Sequence, residues 1–205
     1  MPLIPTDQLI ILTLFGLIFG SFLNMLIYRL PKSLSIMPRS FCPKCKHTLS
    51  IYDLIPLVSY IFSLGKCRYC KKSISIRYPL VEILTVFIFL ACFYVYGHTP
   101  FFYGMVFFFM SLLVVFVTDV THFFIPNVIT YPLILVGFCF NLYYNNYLES
   151  LYGIGIGFTC FFLIGIVGRL VYKKSAIGGG DMKLAAAIGS FWGSKVAIMT
   201  CYFSF

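Results

Sequence analysis

A chain that repeats nearly uncharged apolar runs of membrane-crossing length has few ways to fold. Such runs extend over about Leu9–Tyr28, Pro79–Tyr96, Phe101–Thr118, Val128–Tyr144 and Leu151–Tyr172. About 20 apolar residues in a helix cross a hydrocarbon core roughly 30 Å thick. No water meets the backbone there, so every N–H and C=O must pair within the chain, which leaves helices or a closed barrel. Runs this long and continuous do not alternate as barrel strands do. Composition agrees, with 60% hydrophobic and only 10% charged residues, where a soluble domain is about a quarter charged. The expectation is an all-α polytopic membrane protein, a helical bundle of about six spans with one small polar loop domain.

The first run does not read as a cleavable signal, whose positive charge precedes its apolar segment. Here Asp7 comes before the run, and Arg29 and Lys32 follow it. Gly16 and Gly20 have the small-xxx-small spacing that lets helix backbones approach. Charge asymmetry places the N-terminus outside and Arg29 in the cytoplasm. The turns Gly97–Pro100 and Asn145–Ser150 lack Lys and Arg and suit the outer face, whereas Arg169, Lys173 and Lys174 suit the inner one. The chain then divides into a first span at 1–28, a cytoplasmic loop domain at 29–78 and a membrane domain at 79–205.

The loop carries Lys32, Arg39, Lys44, Lys46, Lys66, Arg68, Lys71, Lys72 and Arg77, most of the basic residues of a chain with net charge +9. It also carries Cys42-Pro-Lys-Cys45 and Cys67-Arg-Tyr-Cys70. Two such knuckles supply the four thiolates of a structural zinc site. The alternatives are two disulfides or free thiols, and a reducing cytoplasm disfavours the first. His47 is a bystander beside four thiols. So small and polar a loop has little core, and metal would supply much of its folding energy. The basic surface suits anionic headgroups of membrane lipids. Without an aromatic platform or recognition helix, nucleic acid is not expected as a partner. Cys92, Cys139, Cys160 and Cys201 stand singly in apolar runs as small hydrophobes.

Two acids remain. Asp119 ends the third run, and Asp181 lies in Ala176-Ile177-Gly178-Gly179-Gly180-Asp181-Met182-Lys183-Leu184. Ionisable groups at a membrane edge are expensive and mark function. Two crossings separate these acids, so both return to the cytoplasmic face. Carboxylates that share a site hold a single proton between them, which suits aspartic hydrolysis. The competing reading has each acid capping its own helix.

Several blocks taken together resemble the bacterial type IV prepilin peptidases, polytopic aspartic proteases bearing a GxGD motif. They are Gly20-Ser-Phe-Leu-Asn-Met-Leu-Ile-Tyr-Arg-Leu-Pro31, the two cysteine knuckles, Asp53-Leu-Ile-Pro-Leu-Val-Ser-Tyr60 and Ile76-Arg-Tyr-Pro-Leu-Val-Glu82. Asp119-Val-Thr-His-Phe-Phe-Ile-Pro-Asn-Val-Ile-Thr130 and Gly178-Gly-Gly-Asp-Met-Lys183 complete the set. The resemblance implies that Asp119 and Asp181 are the catalytic pair, with Gly178, Gly180 and Lys183 supporting their loop. It implies prepilin or pseudopilin substrates of type IV pilus or type II secretion machinery. These would be cut after glycine at the cytoplasmic face of the bacterial inner membrane. It also implies N-methylation of the new N-terminus, usually phenylalanine, from S-adenosylmethionine, an activity the family associates with the large loop. His122 is left outside the dyad. The alternatives are a peptidase without methyl transfer, a transporter using the acids, or a membrane zinc module without chemistry. Oligomeric state is not legible.

The last apolar stretch departs from this pattern. Lys195 leaves only Val196–Phe205 beyond it, about 15 Å of helix, too short to cross. The expectation is a broken helix and a C-terminally shortened chain, or else a polar pocket around Lys195.

Overall fold

The computed structural model describes residues 5–172 and 178–203. Lys173, Lys174, Ala176 and Ile177 therefore lie outside the described residues. The elements in order are α1 (Thr6–Arg29), α2 (Val58–Phe62), α3 (Arg77–Tyr96), α4 (Pro100–His122), α5 (Asn127–Tyr143), α6 (Tyr147–Tyr172) and α7 (Gly179–Phe203). Short 3-10 turns cover Leu30–Lys32 and Ile51–Leu54. Helices α1, α3, α4, α6 and α7 are long and apolar enough to cross a membrane, and α5 is a shorter apolar helix. The expected all-helical bundle is what forms, and among the described residues pairing between extended segments is limited to two isolated bridges.

The chain forms two compact units, Met1–Val117 and Thr118–Phe205. In the first, α1 packs along α3. A Cβ on Gly16 would come within 2.7 Å of Val86 Cα, and one on Gly20 within 2.7 Å of Glu82 Cα. Only glycine permits that contact, so the small-xxx-small spacing is a helix interface. Aromatic rings continue the packing, with Phe89 and Phe93 meeting Phe102 of α4 at centroid distances of 6.2 and 5.8 Å. At the other end of α1, Arg29 is only 2% exposed. Its guanidinium donates to the carbonyls of Ser35, Ile36, Pro38 and Arg39 at 2.8–3.1 Å, pinning the start of the loop.

In the second unit α7 packs against α5 and α6. The helix breaks at Gly193, whose φ of +76° belongs to the left-handed region. The break frees carbonyls inside an apolar bundle, where unpaired polar groups are costly. Asn141 of α5 donates to the carbonyls of Ser190 and Phe191 at 2.8 and 3.0 Å, and the Ser150 hydroxyl donates to Ser190 at 2.7 Å. Glu149 accepts the Ser194 hydroxyl at 2.8 Å, closing the second half of the helix. Lys195 is exposed, so the expected polar pocket does not form; the helix does break, yet Gly179–Phe203 taken whole is long and apolar enough to cross, which corrects the expectation that this stretch falls short.

Candidate active site and metal centre

The cysteine segment is built from the same fold twice. The Cys42 N–H donates to the His47 carbonyl and the Cys67 N–H to that of Lys72, both at 2.9 Å. Leu49 N–H closes onto Ser40 at 2.8 Å, and Ile74 N–H onto Gly65 at 2.7 Å. Lys46 and Lys71 take left-handed backbone, φ +59° and +58°, at the matching position of each knuckle. The two turns thus present their thiols in the same way. One bridge between them is the Lys44 ammonium, 2.7 Å from the Ser73 carbonyl.

The four sulfurs of Cys42, Cys45, Cys67 and Cys70 lie within 4.8 Å of one another, with Cys42 and Cys70 at 4.0 Å. A tetrahedral zinc with bonds of about 2.3 Å spaces its thiolates about 3.8 Å apart, so the donor set and its spacing fit that ion. Burial alone would raise the Cys42 thiol. Backbone N–H groups of Cys45 and Lys44, with the Cys45 and Cys67 thiols, outweigh it and bring Cys42 down to about 7. Cys45 gains from the His47 backbone, but burial and its own donation to Cys42 and Cys70 raise it to about 11. His47 stands outside the cluster, its ring 3.7 Å from that of Tyr69.

Asp53 ties the second knuckle to the turn that follows the first. Its Oδ2 accepts the Ser50 N–H and hydroxyl at 3.1 and 2.7 Å and the Tyr69 hydroxyl at 3.1 Å. Arg68 lies 3.6 Å from Oδ1. Burial opposes ionisation, but the Ser50 and Tyr69 donors and the Arg68 charge hold the carboxyl below its usual range. Glu82 is 7% exposed and accepts the Leu57 N–H at 2.8 Å.

Both acids of the GxGD reading fall in the unit Thr118–Phe205. Asp119 is exposed in the last turn of α4, and Asp181 is half-buried in the first turn of α7. An acid in a first turn complements the helix dipole, and Asp181 Oδ2 also accepts the Gly178 N–H at 3.0 Å. The connection from α4 to α5 lies against this turn. A Cβ on Gly180 would sit 2.7 Å from Ile125 Cβ, so only glycine leaves room for that segment. Lys183 donates to Asn127 Oδ1 at 2.8 Å and lies 5.0 Å over the Tyr131 ring. Gly180 and Lys183 flank Asp181, while Ile125 and Asn127 follow Asp119 by six and eight residues. Among the described residues the two carboxylates share no hydrogen bond; the segments that carry them are what meet. His122 pairs with the neighbouring Thr121 hydroxyl at 2.6 Å.

Sequence reasoning missed Ile125, Asn127 and Tyr131 as partners of the α7 turn. The available signal was Ile125-Pro126-Asn127, a helix start directly downstream of Asp119.

Residues 14–96 match the Bacterial Peptidase A24 N-terminal domain, and residues 106–205 match the Type IV leader peptidase family. A Myxococcus xanthus protein named prepilin leader peptidase/N-methyltransferase is 38% identical over 198 residues, 93% of this chain and 58% of that protein. A Bacillus subtilis protein of the same name is 36% identical over 199 residues, covering 96% of this chain and 79% of the relative. A type 4 prepilin-like proteins leader peptide-processing enzyme of Escherichia coli is 33% identical over 211 residues, 92% of this chain and 78% of the relative. No solved structure matches the chain.

Proposed function

Because the chain belongs to the type IV leader peptidase family, we propose that it is a membrane aspartic endopeptidase acting on type IV prepilins and pseudopilins. Asp119 and Asp181 are its catalytic pair. The observation that carries this assignment is the seating of the α4–α5 connection on Gly180 and Lys183, one residue before Asp181 and two after it. That contact tethers the segment following one acid to the turn bearing the other.

In the proposed reaction the ionised carboxylate takes a proton from water. The protonated partner polarises the scissile carbonyl and then gives its proton to the leaving amine. Water adds to the carbonyl carbon and the peptide C–N bond breaks, so a carboxyl terminus and a free amine result. Asp119 and Asp181 take these two roles between them, and the turn that carries Asp181 is closed by the Gly178 N–H donated to its Oδ2. Gly178 and Gly180 keep side chains away from this turn, and Lys183 anchors it.

The substrate reading follows the relatives' names, which couple leader cleavage to N-methylation. The cut falls after glycine, and the new N-terminal amine is then methylated from S-adenosylmethionine. Zinc on Cys42, Cys45, Cys67 and Cys70 holds the loop domain together. The working division keeps 29–78 as that domain and 79–205 as the peptidase, in the bacterial inner membrane. The N-terminus is outside and the acids are at the cytoplasmic face, beside the lipid headgroups.

The test is cleavage of a prepilin in membranes, read by mass spectrometry at the new N-terminus. The parent chain is expected to cut, and Asp119→Asn and Asp181→Ala each to lower the rate at least a thousandfold. Cleavage surviving in either variant sinks the dyad. A mass gain of one methyl group on the product reports the second activity separately.

A further inference from the structure

Among the described residues, two buried side-chain polar atoms have no hydrogen-bond partner: Asn24 Oδ1, an acceptor, and Arg77 Nε, a donor. Both residues line one cavity of about 880 Å³ within the unit Met1–Val117. That volume suits a small organic ligand. Native interiors seldom leave such atoms unpaired, and each exception asks for a reason.

The two orphans flank one residue. Asn24 is 2% exposed, and its amide nitrogen donates to the Tyr78 carbonyl at 2.9 Å, which turns Oδ1 away from that partner. The Arg77 guanidinium lies 5.3 Å from the Tyr78 ring. Glu82, a little over one helical turn further along α3, lines the same cavity. Its bond from the Leu57 N–H leaves further lone pairs on the carboxylate. The α1–α3 end of the cavity thus offers acceptors at Asn24 and Glu82 and a donor at Arg77. Basic residues outnumber acids around the cavity by seven to two, so a bare cation would meet net repulsion, and only the end lined by Asn24 and Glu82 suits a positive group, with Arg77 beside it for a negative one.

We propose that this cavity binds the α-amino-acid end of a ligand. The ammonium sits against Asn24 Oδ1 and the Glu82 carboxylate, and the adjoining carboxylate or carbonyl oxygen sits on Arg77 Nε. Two sources carry that chemistry: an amino-acid-derived small molecule, as at the methionine end of a methyl donor, and the free N-terminus of a polypeptide. The site deepens the methyl-transfer half of the proposed function, on which the choice of probes rests, and it uses neither Asp119 nor Asp181.

The experiment places the full zinc-loaded chain in nanodiscs of phosphatidylcholine and phosphatidylglycerol, whose headgroups carry no primary amine. Binding is measured for S-adenosylhomocysteine, for a peptide with a free N-terminal amine, and for the acetylated twin of that peptide. At least one free-amine probe is expected to saturate, the acetylated peptide not to bind, and Glu82→Gln to weaken the saturating probe at least tenfold. That substitution keeps an oxygen for the Leu57 N–H and removes the charge, so a merely architectural Glu82 would leave binding unmoved. Zinc content equal to the parent's reports a folded loop, and Arg77→Gln decides the matter if Glu82→Gln loses metal. Saturation by S-adenosylhomocysteine alone identifies the small molecule, and saturation by the peptide alone identifies the polypeptide terminus. The proposal is overturned if neither probe saturates the parent, or if the folded variants bind as tightly as the parent. Prepilin cleavage on the same sample separates the two ideas: amine binding without cleavage removes the peptidase reading and leaves this site standing.

Discussion

Arg29 and Asp53 show how much one side chain can carry in a loop with little core. By sequence Arg29 is a topological charge at the cytoplasmic end of the first span. Buried at 2% exposure, it also gathers four carbonyls of the following turn. Lysine offers a single ammonium in place of a planar fork and cannot reproduce that set. Arg29→Ala should therefore destabilise the unit by about 2–4 kcal/mol, from charge-assisted bonds and stranded carbonyls, seen as a lower midpoint in thermal unfolding. Arg29→Lys should fall between the two. Asp53 makes a pH prediction. Its carboxyl is held below its usual range by the Ser50 and Tyr69 donors and by Arg68, against the cost of burial. A depressed folded-state pKa contributes stability that is present above the unfolded value of about 3.9 and is lost as pH falls through the folded value. Loop stability should therefore be insensitive to this residue's titration near neutrality and drop below about pH 4. In Asp53→Asn that acid-side drop should shrink, and an unchanged acid limb would show that the carboxylate contributes nothing.

At the scale of elements, the apolar runs were enough to place the long helices α1, α3, α4 and α6 and the shorter α5, because lipid leaves the backbone no other pairing, but not α7, whose last stretch read as too short to cross. The small residues at 16 and 20 foretold a close helix contact, since only glycine admits a backbone at 2.7 Å, though not that α3 makes it. The break in α7 was legible only as a difficulty with Lys195. Its cause lies in other helices: Asn141 and Ser150 receive the freed carbonyls, and Glu149 receives Ser194. No window along α7 contains those partners. The same limit hid the cavity. Asn24 is a polar residue in an apolar run, but nothing local says that its oxygen lacks a partner. Asp119 and Asp181 could be picked out as candidates from residue type and an even number of crossings, whereas Ile125 and Asn127 emerge only once α5 and α7 pack. Two variants test the break. Gly193→Ala places a Cβ at φ +76°, where L residues are strained, and Asn141→Leu removes the amide bonds to the Ser190 and Phe191 carbonyls. In the second variant Ser190 keeps the Ser150 hydroxyl. Each variant should cost about 1–3 kcal/mol, measured as faster amide exchange from Ser190 to Ala197. Unchanged exchange in both would mean that these bonds do not hold the kink.

For the whole molecule, the question is how far the loss of metal spreads. The knuckle segment has few buried side chains besides Cys42 and Cys67, so cross-linking by four thiolates would replace the core it lacks. The packing of α5, α6 and α7 draws on other residues: the Asn141, Ser150 and Glu149 bonds, and the Ile125 and Lys183 contacts around Asp181. Chelation should therefore unfold residues 40–76 while α5–α7 keep their amide protection, and Cys42→Ser should reproduce that pattern together with a fall in zinc content. Acidification should act in the same direction. The metal needs thiolates, so protons compete with it for sulfur and zinc affinity should weaken as pH falls, more steeply once the pH passes below the value of about 7 to which Cys42 is lowered. Hydrogen exchange across both units, with and without chelator, reads the outcome. Protection lost in step across 40–76 and α5–α7 would show that the metal holds the entire fold. Protection lost in the loop alone would make zinc a local staple, and peptide cleavage should then outlast it while amine binding in the Asn24–Glu82 cavity, lined in part by Cys42 and Cys67, should not.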